Sequence, residues 1–420
     1  MARVVVAFGL CGLLTLPLSA QVRRDSSAAP DSLAIRLRRA EEAIAQLRQQ
    51  LDEQASASVT TRSRMQLELT GRVLVHGVRN DRRVNNADDP QFVRPDSISP
   101  PPTPLVMSAR QTTLGVVLSA RDVLGGQFVG DVDVDFYGGQ QASTGGRTFP
   151  LLRLRTARGI VRWSNGELLV GQESPLIAGV NPVSPAAIGT PAFATAGNLW
   201  LWLPQIRGTI ESSGDVRIAL QGAVLANITG DPVGLFDTDV DQAERSGRPA
   251  LETRVRVRWG EADHQGEIGC GAHVAWLDGV NSAPMSTHAF ACDARVALTS
   301  ALELRGEGYD GRGLRGLGGG GIGQNLNRSA LPLDDRGGWL QVNLRAGTPF
   351  GLGAGCGIDA PREADVVPSG RLRNQACAGY ATIHPGGPLF LGTEFRQLQT
   401  KYAAGTVTNN HVSLALGFEF

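Results

Sequence analysis

Charged residues recur at every second position in much of this chain, and that spacing bears directly on what the sequence can do. Arg254, Arg256 and Arg258 alternate with Val255, Val257 and Trp259, and Asp131, Asp133 and Asp135 alternate with Val132, Val134 and Phe136. Glu303 and Arg305 interleave with Leu302 and Leu304, and Arg345 closes a run in which Leu340, Val342 and Leu344 hold the other phase. Successive side chains of an extended chain point to opposite faces, so each run has one ionic face and one apolar face. Collected along the chain, the ionic phase holds Arg72, Arg121, Arg153, Arg155, Arg207, Arg217, Arg254, Arg256, Arg258, Arg305 and Arg345 against Asp131, Asp133, Asp135 and Glu303. Lining a water-filled passage, arginine rows facing carboxylates set up a transverse field, and rings of Arg favour anions. Alternatively, these groups pair only with one another and keep a wall wetted.

Other constellations carry less. His76, His264, His273, His288, His384 and His411 lack metal-ligand spacing. There is no G-x-S-x-G elbow, and the glycine run 318–323 lacks the strand-to-helix context of a phosphate cradle. No enzymatic chemistry, metal or cofactor is expected. The chain has 40 basic and 40 acidic residues, with Lys401 its only lysine, and this balance gives no sign of nucleic-acid binding. Cys270 and Cys292, and Cys356 and Cys377, sit nearly opposite each other across two expected hairpins. In an exported protein they are either cross-strand disulfides or free thiols on the apolar phase.

The elements that must position these groups fall into two kinds. Residues 1–20 read as a signal peptide, with Arg3, the apolar run from Val4 to Leu16 and a Leu18-Ser19-Ala20 cleavage site. In 21–54, Leu37, Ile44 and Leu51 (a) and Leu33, Ala40 and Leu47 (d) repeat in heptads, which predicts a short helical coiled coil, dimeric or trimeric, or a solvated tether helix. A polar linker follows at 55–64. From 65 to 420 the period is two. The pattern predicts an all-β fold, a 16-stranded antiparallel transmembrane β-barrel preceded by a short α-helical coiled-coil segment.

Predicted strands include 151–163, 289–299, 301–309, 338–346, 388–398 and 411–420. Arg153 and Arg155 lie on the opposite phase from Arg158 and Arg162, which calls for a bulge near Gly159. The expected connections alternate long and short, with 278–288 and 399–410 among the long ones. Aromatic residues fall at both strand ends: Tyr137, Trp276, Phe290, Tyr309 and Trp339 at one, Trp163, Trp259, Phe418 and Phe420 at the other. Two interfacial girdles are the expectation.

The signal, the even barrel and terminal Phe420 in phase with Phe418, Leu416 and Leu414 resemble Gram-negative outer-membrane proteins. With the coiled coil added, the chain resembles the DcaP-like trimeric porins. The local features are Arg110-Gln111-Thr112-Thr113-Leu114-Gly115, Asp133-Val134-Asp135-Phe136, Gly166-Glu167-Leu168-Leu169-Val170-Gly171-Gln172 and Gln205-Ile206-Arg207. The resemblance implies a homotrimer in outer-membrane lipid with its coiled coil in the periplasm. It also implies recognition of Phe420 by the barrel assembly machinery, and diffusion of small hydrophilic solutes. By the same resemblance the loop 173–204, with Glu173, Asn181, Asn198, Trp200 and Trp202, folds inward and narrows the channel; otherwise it is an external apolar patch. The rival to a diffusion pore is a structural anchor with a periplasmic tether.

Overall fold

The computed structural model describes residues 59–60, 65–95, 105–139, 149–229, 239–260, 265–279, 283–344 and 349–420. The expected signal peptide and coiled coil lie outside these residues, as does Arg345. The strands that form the wall are β1 Gln66–Asn80, β2 Thr113–Val123, β3 Gly126–Asp135, β4 Arg153–Trp163, β5 Gly166–Glu173, β6 Leu203–Glu211, β7 Val216–Leu225 and β8 Ala250–Trp259. They continue as β9 Gly266–Asp278, β10 Pro284–Ala297, β11 Leu302–Arg312, β12 Asp334–Leu344, β13 Phe350–Asp359, β14 Arg373–Ile383, β15 Leu389–Tyr402 and β16 Gly405–Glu419. Each pairs antiparallel with its neighbours in sequence. The circle closes where β16 meets β1, from His411 opposite Asn80 to Glu419 opposite Arg72. Two short segments, Val59–Thr60 and Leu105–Ser108, add to the two ends of β1.

Alternation decides which face goes where. Leu69, Ile206, Ile210, Leu220, Val255, Leu340, Leu414 and Leu416 are exposed, whereas Glu252, Arg254, Asp293, Glu303, Gln341, Glu394 and Arg396 are buried. This inverts a water-soluble protein: the apolar phase points out of the barrel and the ionic phase into it. Exposing a Leu or Ile side chain to water costs about 1.5–3 kcal/mol, so a belt of dozens needs an apolar solvent. A closed wall also leaves no strand edge unpaired, as a membrane-spanning sheet requires.

Three expectations are corrected. The bulge lies at Arg155 instead of Gly159: Asp133 opposes Thr156 and Val134 opposes Leu154, leaving Arg155 as the extra residue. Two loops expected to be long are short. β15 and β16 meet at Ala403-Ala404, and β9 and β10 are separated only by 279–283. The aromatic girdle at the loop end is incomplete, because Tyr309 and Trp339 turn inward and are buried while Phe290 faces out. At the turn end Trp163, Phe418 and Phe420 do face outward, 39%, 41% and 54% exposed.

Candidate functional site: the barrel lumen

The bulge on β4 shapes one lumen wall. A regular strand would send Arg155 to the lipid face; the extra residue brings Arg153, Arg155 and Arg158 to the same side. They meet the three inward carboxylates of β3 rung by rung. Arg153 Nη2 donates to Asp135 at 2.6 Å, Arg155 Nε lies 3.1 Å from Asp133, and Arg158 Nε donates to Asp131 at 2.7 Å. Arg158 also reaches Glu173 at the end of β5.

The next wall repeats the theme. On β8, Arg254 is clamped by Asp293, and Arg258 donates to both Glu211 oxygens at 2.6 Å, with Arg256 3.7 Å from the same carboxylate. On β11, Arg305 pairs with Glu303 and donates to Asn181 O at 3.3 Å. On β15, Arg396 is held between Glu394 (2.6 Å) and Asp89 (3.1 Å). At the turn end Arg72 pairs with Glu419. The inward arginines without an ion pair among the described residues are Arg121, Arg207, Arg217 and Arg295. Arg207 bonds only to neutral oxygens, Gln205 Oε1 at 2.8 Å and Ser174 O at 2.6 Å.

The segment between β5 and β6 lies inside this ionic cylinder. Its backbone is tied to inward side chains all around the barrel. Leu176 N donates to Glu252 on β8 (2.5 Å) and Gly179 N to Asp293 on β10 (3.3 Å). Val183 exchanges two bonds with Gln341 on β12, both 2.8 Å. Ser184 donates to Glu394 on β15, and Pro185 O contacts His76 on β1 at 3.1 Å. Gln111, just before β2, takes the amides of Ile188 (2.7 Å) and Gly189 (2.9 Å) and donates to Ala186 O at 2.7 Å. Arg153 on β4 donates to Gly189 O. The return path bonds Thr195 O to Asn374 on β14 (2.9 Å) and Leu199 N to Glu307 on β11 (3.2 Å).

Apolar contacts fill in beneath these ties. Phe193 stacks on Trp339 at 6.1 Å, and Ile177, Leu199 and Leu203 join a buried cluster with Leu314 and Leu317. Asn198 is fully buried, donating to Ala192 O and Asn181 Oδ1. Trp200 is buried, and Trp202 packs edge-on against it at 5.2 Å, with Arg153 and Arg155 5.2 and 5.1 Å from the Trp202 ring.

Several residues that matter here leave no trace in the sequence pattern. Gln111, Gln341 and Asn374 are single amides whose partners are backbone groups of a distant loop. Asp88 and Asp89 belong to the loop after β1. Asp88 binds Arg110 at 2.8 Å, while Asp89 accepts from Thr190 N at 3.2 Å. Burial pushes the Asp89 carboxyl up to about 7, against the pull of Arg396. Burial beside Asp89 and Asp88 likewise raises the Tyr137 phenol well above its ordinary value. Both cysteine pairs are bonded, Cys270 to Cys292 and Cys356 to Cys377, in directly opposed positions of β9–β10 and β13–β14. They face outward, away from the lumen.

Among solved structures, the chain is similar to the outer-membrane channel DcaP of Acinetobacter baumannii, with 16% identity and a TM-score of 0.65, over 87% of this chain and all of that one. The chain has the sixteen-stranded porin fold. It is also similar to OmpF of Salmonella typhi in complex with daunomycin (TM-score 0.53, 8% identity, 86% of this chain and 100% of that one). A trimer form of OmpT of Vibrio cholerae gives 0.51 at 8% identity, over 85% and 99%. No family model and no curated protein matches the sequence. At these identities the likeness is one of porin architecture.

Proposed function

We propose that the protein is an outer-membrane diffusion porin for small hydrophilic solutes, and not an enzyme. The observation that carries the reading is the inside-out wall, apolar to the membrane and ionic to the lumen, with the segment after Glu173 bound across that lumen. In this reading the loop end faces outside, the turn end faces the periplasm, and residues 174–202 form the constriction. The DcaP channel, with the same architecture, supports a channel function and an outer-membrane location, and the trimer form of OmpT supports a homotrimer. The extensive pairing of lumen arginines keeps the walls wetted and largely neutral. A weak preference for anions such as carboxylates then rests on the arginines without carboxylate partners, Arg207 foremost. Phe420 is the terminal strand residue on which assembly into the membrane depends.

The test is single-channel recording of the purified protein in planar bilayers, with reversal potential under a salt gradient. Conductance in steps of three with an anion-leaning reversal potential is the expected result. A folded barrel that passes no current overturns the diffusion reading.

A further inference from the structure

On one side of the barrel the outward, lipid-facing surface stops being apolar before it reaches the loop end. The eighth residue above the first apolar position is Asp310 above Leu302, Arg336 above Leu344, Gln375 above Ile383 and Gln397 above Leu389. Across β14 the register puts Gln375 opposite Ile358 on one side and Gln399 on the other. Exposed Phe290 opposes Asp310, which opposes Arg336, and Cys377 opposes Gln397. Eight residues rising ~3.3 Å each on strands tilted about 40° reach roughly 20 Å, just short of the ~25 Å apolar band of such barrels. The same step on β7, β8 and β9 ends instead on Val224, Leu251 and Trp276. The polar positions therefore flank β13, whose own eighth residue is the apolar Ile358, and they lie about 5 Å inside the upper edge of that band, where an arginine side chain still reaches the headgroups.

Beneath this row is a cavity of about 1720 Å³ on the outer wall, with Leu340, Ile358 and the Cys356–Cys377 bridge toward the membrane centre and Arg336 and Arg373 toward the loop end. Gly308 opens it: a Cβ there would meet nothing within 4 Å. Arg336 and Arg373 lie on one register line two strands apart, about 10 Å between backbones. Neither makes an ion pair among the described residues. The neighbouring cations are engaged: Lys401 with Glu363 at 2.7 Å and Arg362 with Asp334 at 3.7 Å. Asp310 lies across from Arg336 and tempers, without cancelling, the positive character.

We propose that this groove binds a phosphorylated lipid of the outer leaflet, with its phosphate between Arg336 and Arg373 and an acyl chain along the cleft beside Gly308 and Leu340. Unpaired guanidiniums above an apolar floor, within side-chain reach of the headgroups, match a molecule that is anionic at one end and hydrocarbon at the other. A concave cleft suits a slender chain better than the broad surface of another subunit.

The test uses full-length protein in detergent, titrated with diphosphorylated lipid A and, separately, with its dephosphorylated form, and bound lipid is read by native mass spectrometry. Wild type is expected to hold the phosphorylated form at least tenfold more tightly than the Arg336→Gln/Arg373→Gln double variant. Gly308→Leu, whose Cβ meets no atom within 4 Å and whose side chain extends into the cleft, is expected to weaken binding similarly, with unchanged heat-modifiable gel mobility confirming a folded barrel. Equal binding by all three proteins, or of both lipid forms, overturns the proposal. So does dissociation of the oligomer by the double variant with lipid binding intact, which identifies the surface as a contact between copies. The readout is lipid and not current, so a failure here leaves the channel reading standing.

Discussion

Gln111 offers the sharpest test of how the lumen segment is held. Its side chain is fully buried, lies outside every strand, and makes three bonds to one stretch of that segment, at 2.7, 2.7 and 2.9 Å. Gln111→Met keeps the volume and removes all three. At ~1 kcal/mol net for each, the stretch from Ala186 to Gly189 loses about 3 kcal/mol, and more if the two amides stay buried without partners. Local opening governs amide exchange, so 3 kcal/mol corresponds to roughly a hundredfold faster exchange at Ile188 and Gly189. Val183, tied independently by Gln341, serves as the internal control and should change far less. Exchange measured by mass spectrometry on the detergent-solubilised barrel gives the comparison, and bilayer recordings of the same sample should show added open-channel noise. Unchanged exchange at Ile188 and Gly189 in a folded Gln111→Met barrel would show that the packing of Ile177, Phe193 and Leu199 alone holds the segment, and that the hydrogen-bond ring is incidental.

Arg207→Gln removes a lumen charge that has no carboxylate partner. For an ion passing ~8 Å away in water this is about 0.5 kcal/mol for each sign of ion, so the anion-to-cation permeability ratio should fall about fivefold. A reversal potential that stays put would remove Arg207 from the permeation path. Asp89, with its carboxyl raised to about 7, holds a proton when buried that it would release when exposed. Its packing against Arg396 and Thr190 is thus favoured at low pH and weakened as pH rises through about 7. Current fluctuations should grow between pH 5 and 8 in wild type and be flat with pH in Asp89→Asn; identical pH profiles would refute this. The double variant Cys356→Ser/Cys377→Ser removes a cross-link spanning 21 residues, worth about 3 kcal/mol in the unfolded chain. It should lower the heat-modification midpoint while leaving conductance unchanged, and altered conductance would mean that the bridge shapes the lumen.

The wall of the barrel was readable because a period of two is enforced residue by residue. Every apolar side chain on the wrong face would meet water or leave a charge in lipid, so the pattern in Arg254–Trp259 or Val412–Phe420 has one satisfactory reading. The bulge followed from the same logic: Arg153 and Arg158 are an odd number of residues apart and both had to face inward. The phase mismatch does not fix its exact position: the extra residue is Arg155 itself, whose partner Asp133 draws it inward, and not a residue at Gly159. The filling of the lumen was not legible. Gln111, Gln341 and Asn374 act through backbone groups 75 to 283 residues away, and neither propensity nor periodicity encodes such partners. Position alone puts Tyr309 and Trp339 in a membrane girdle, but they face inward, where Trp339 stacks against Phe193 of the lumen segment.

The errors in strand length have a different origin, and they cluster. Sequence reading ended β11 at 309, began β12 at 338, ended β15 at 398 and began β16 at 411. The strands in fact run on to Arg312, from Asp334, to Tyr402 and from Gly405. In each case the outward phase turns polar, with Asp310, Arg336, Gln399 and Asn410, so both phases are polar there and the period of two no longer marks a strand. Yet the ladder continues without interruption through these residues, Asp310 opposite Arg336 and Gln399 opposite Thr408. A strand that keeps its hydrogen bonds while abandoning its apolar face is not responding to acyl chains at that height. The places where the periodic rule failed are therefore those where the barrel's surroundings change from hydrocarbon to something able to bond with guanidinium and amide groups, and phosphorylated lipid fits that environment at that depth.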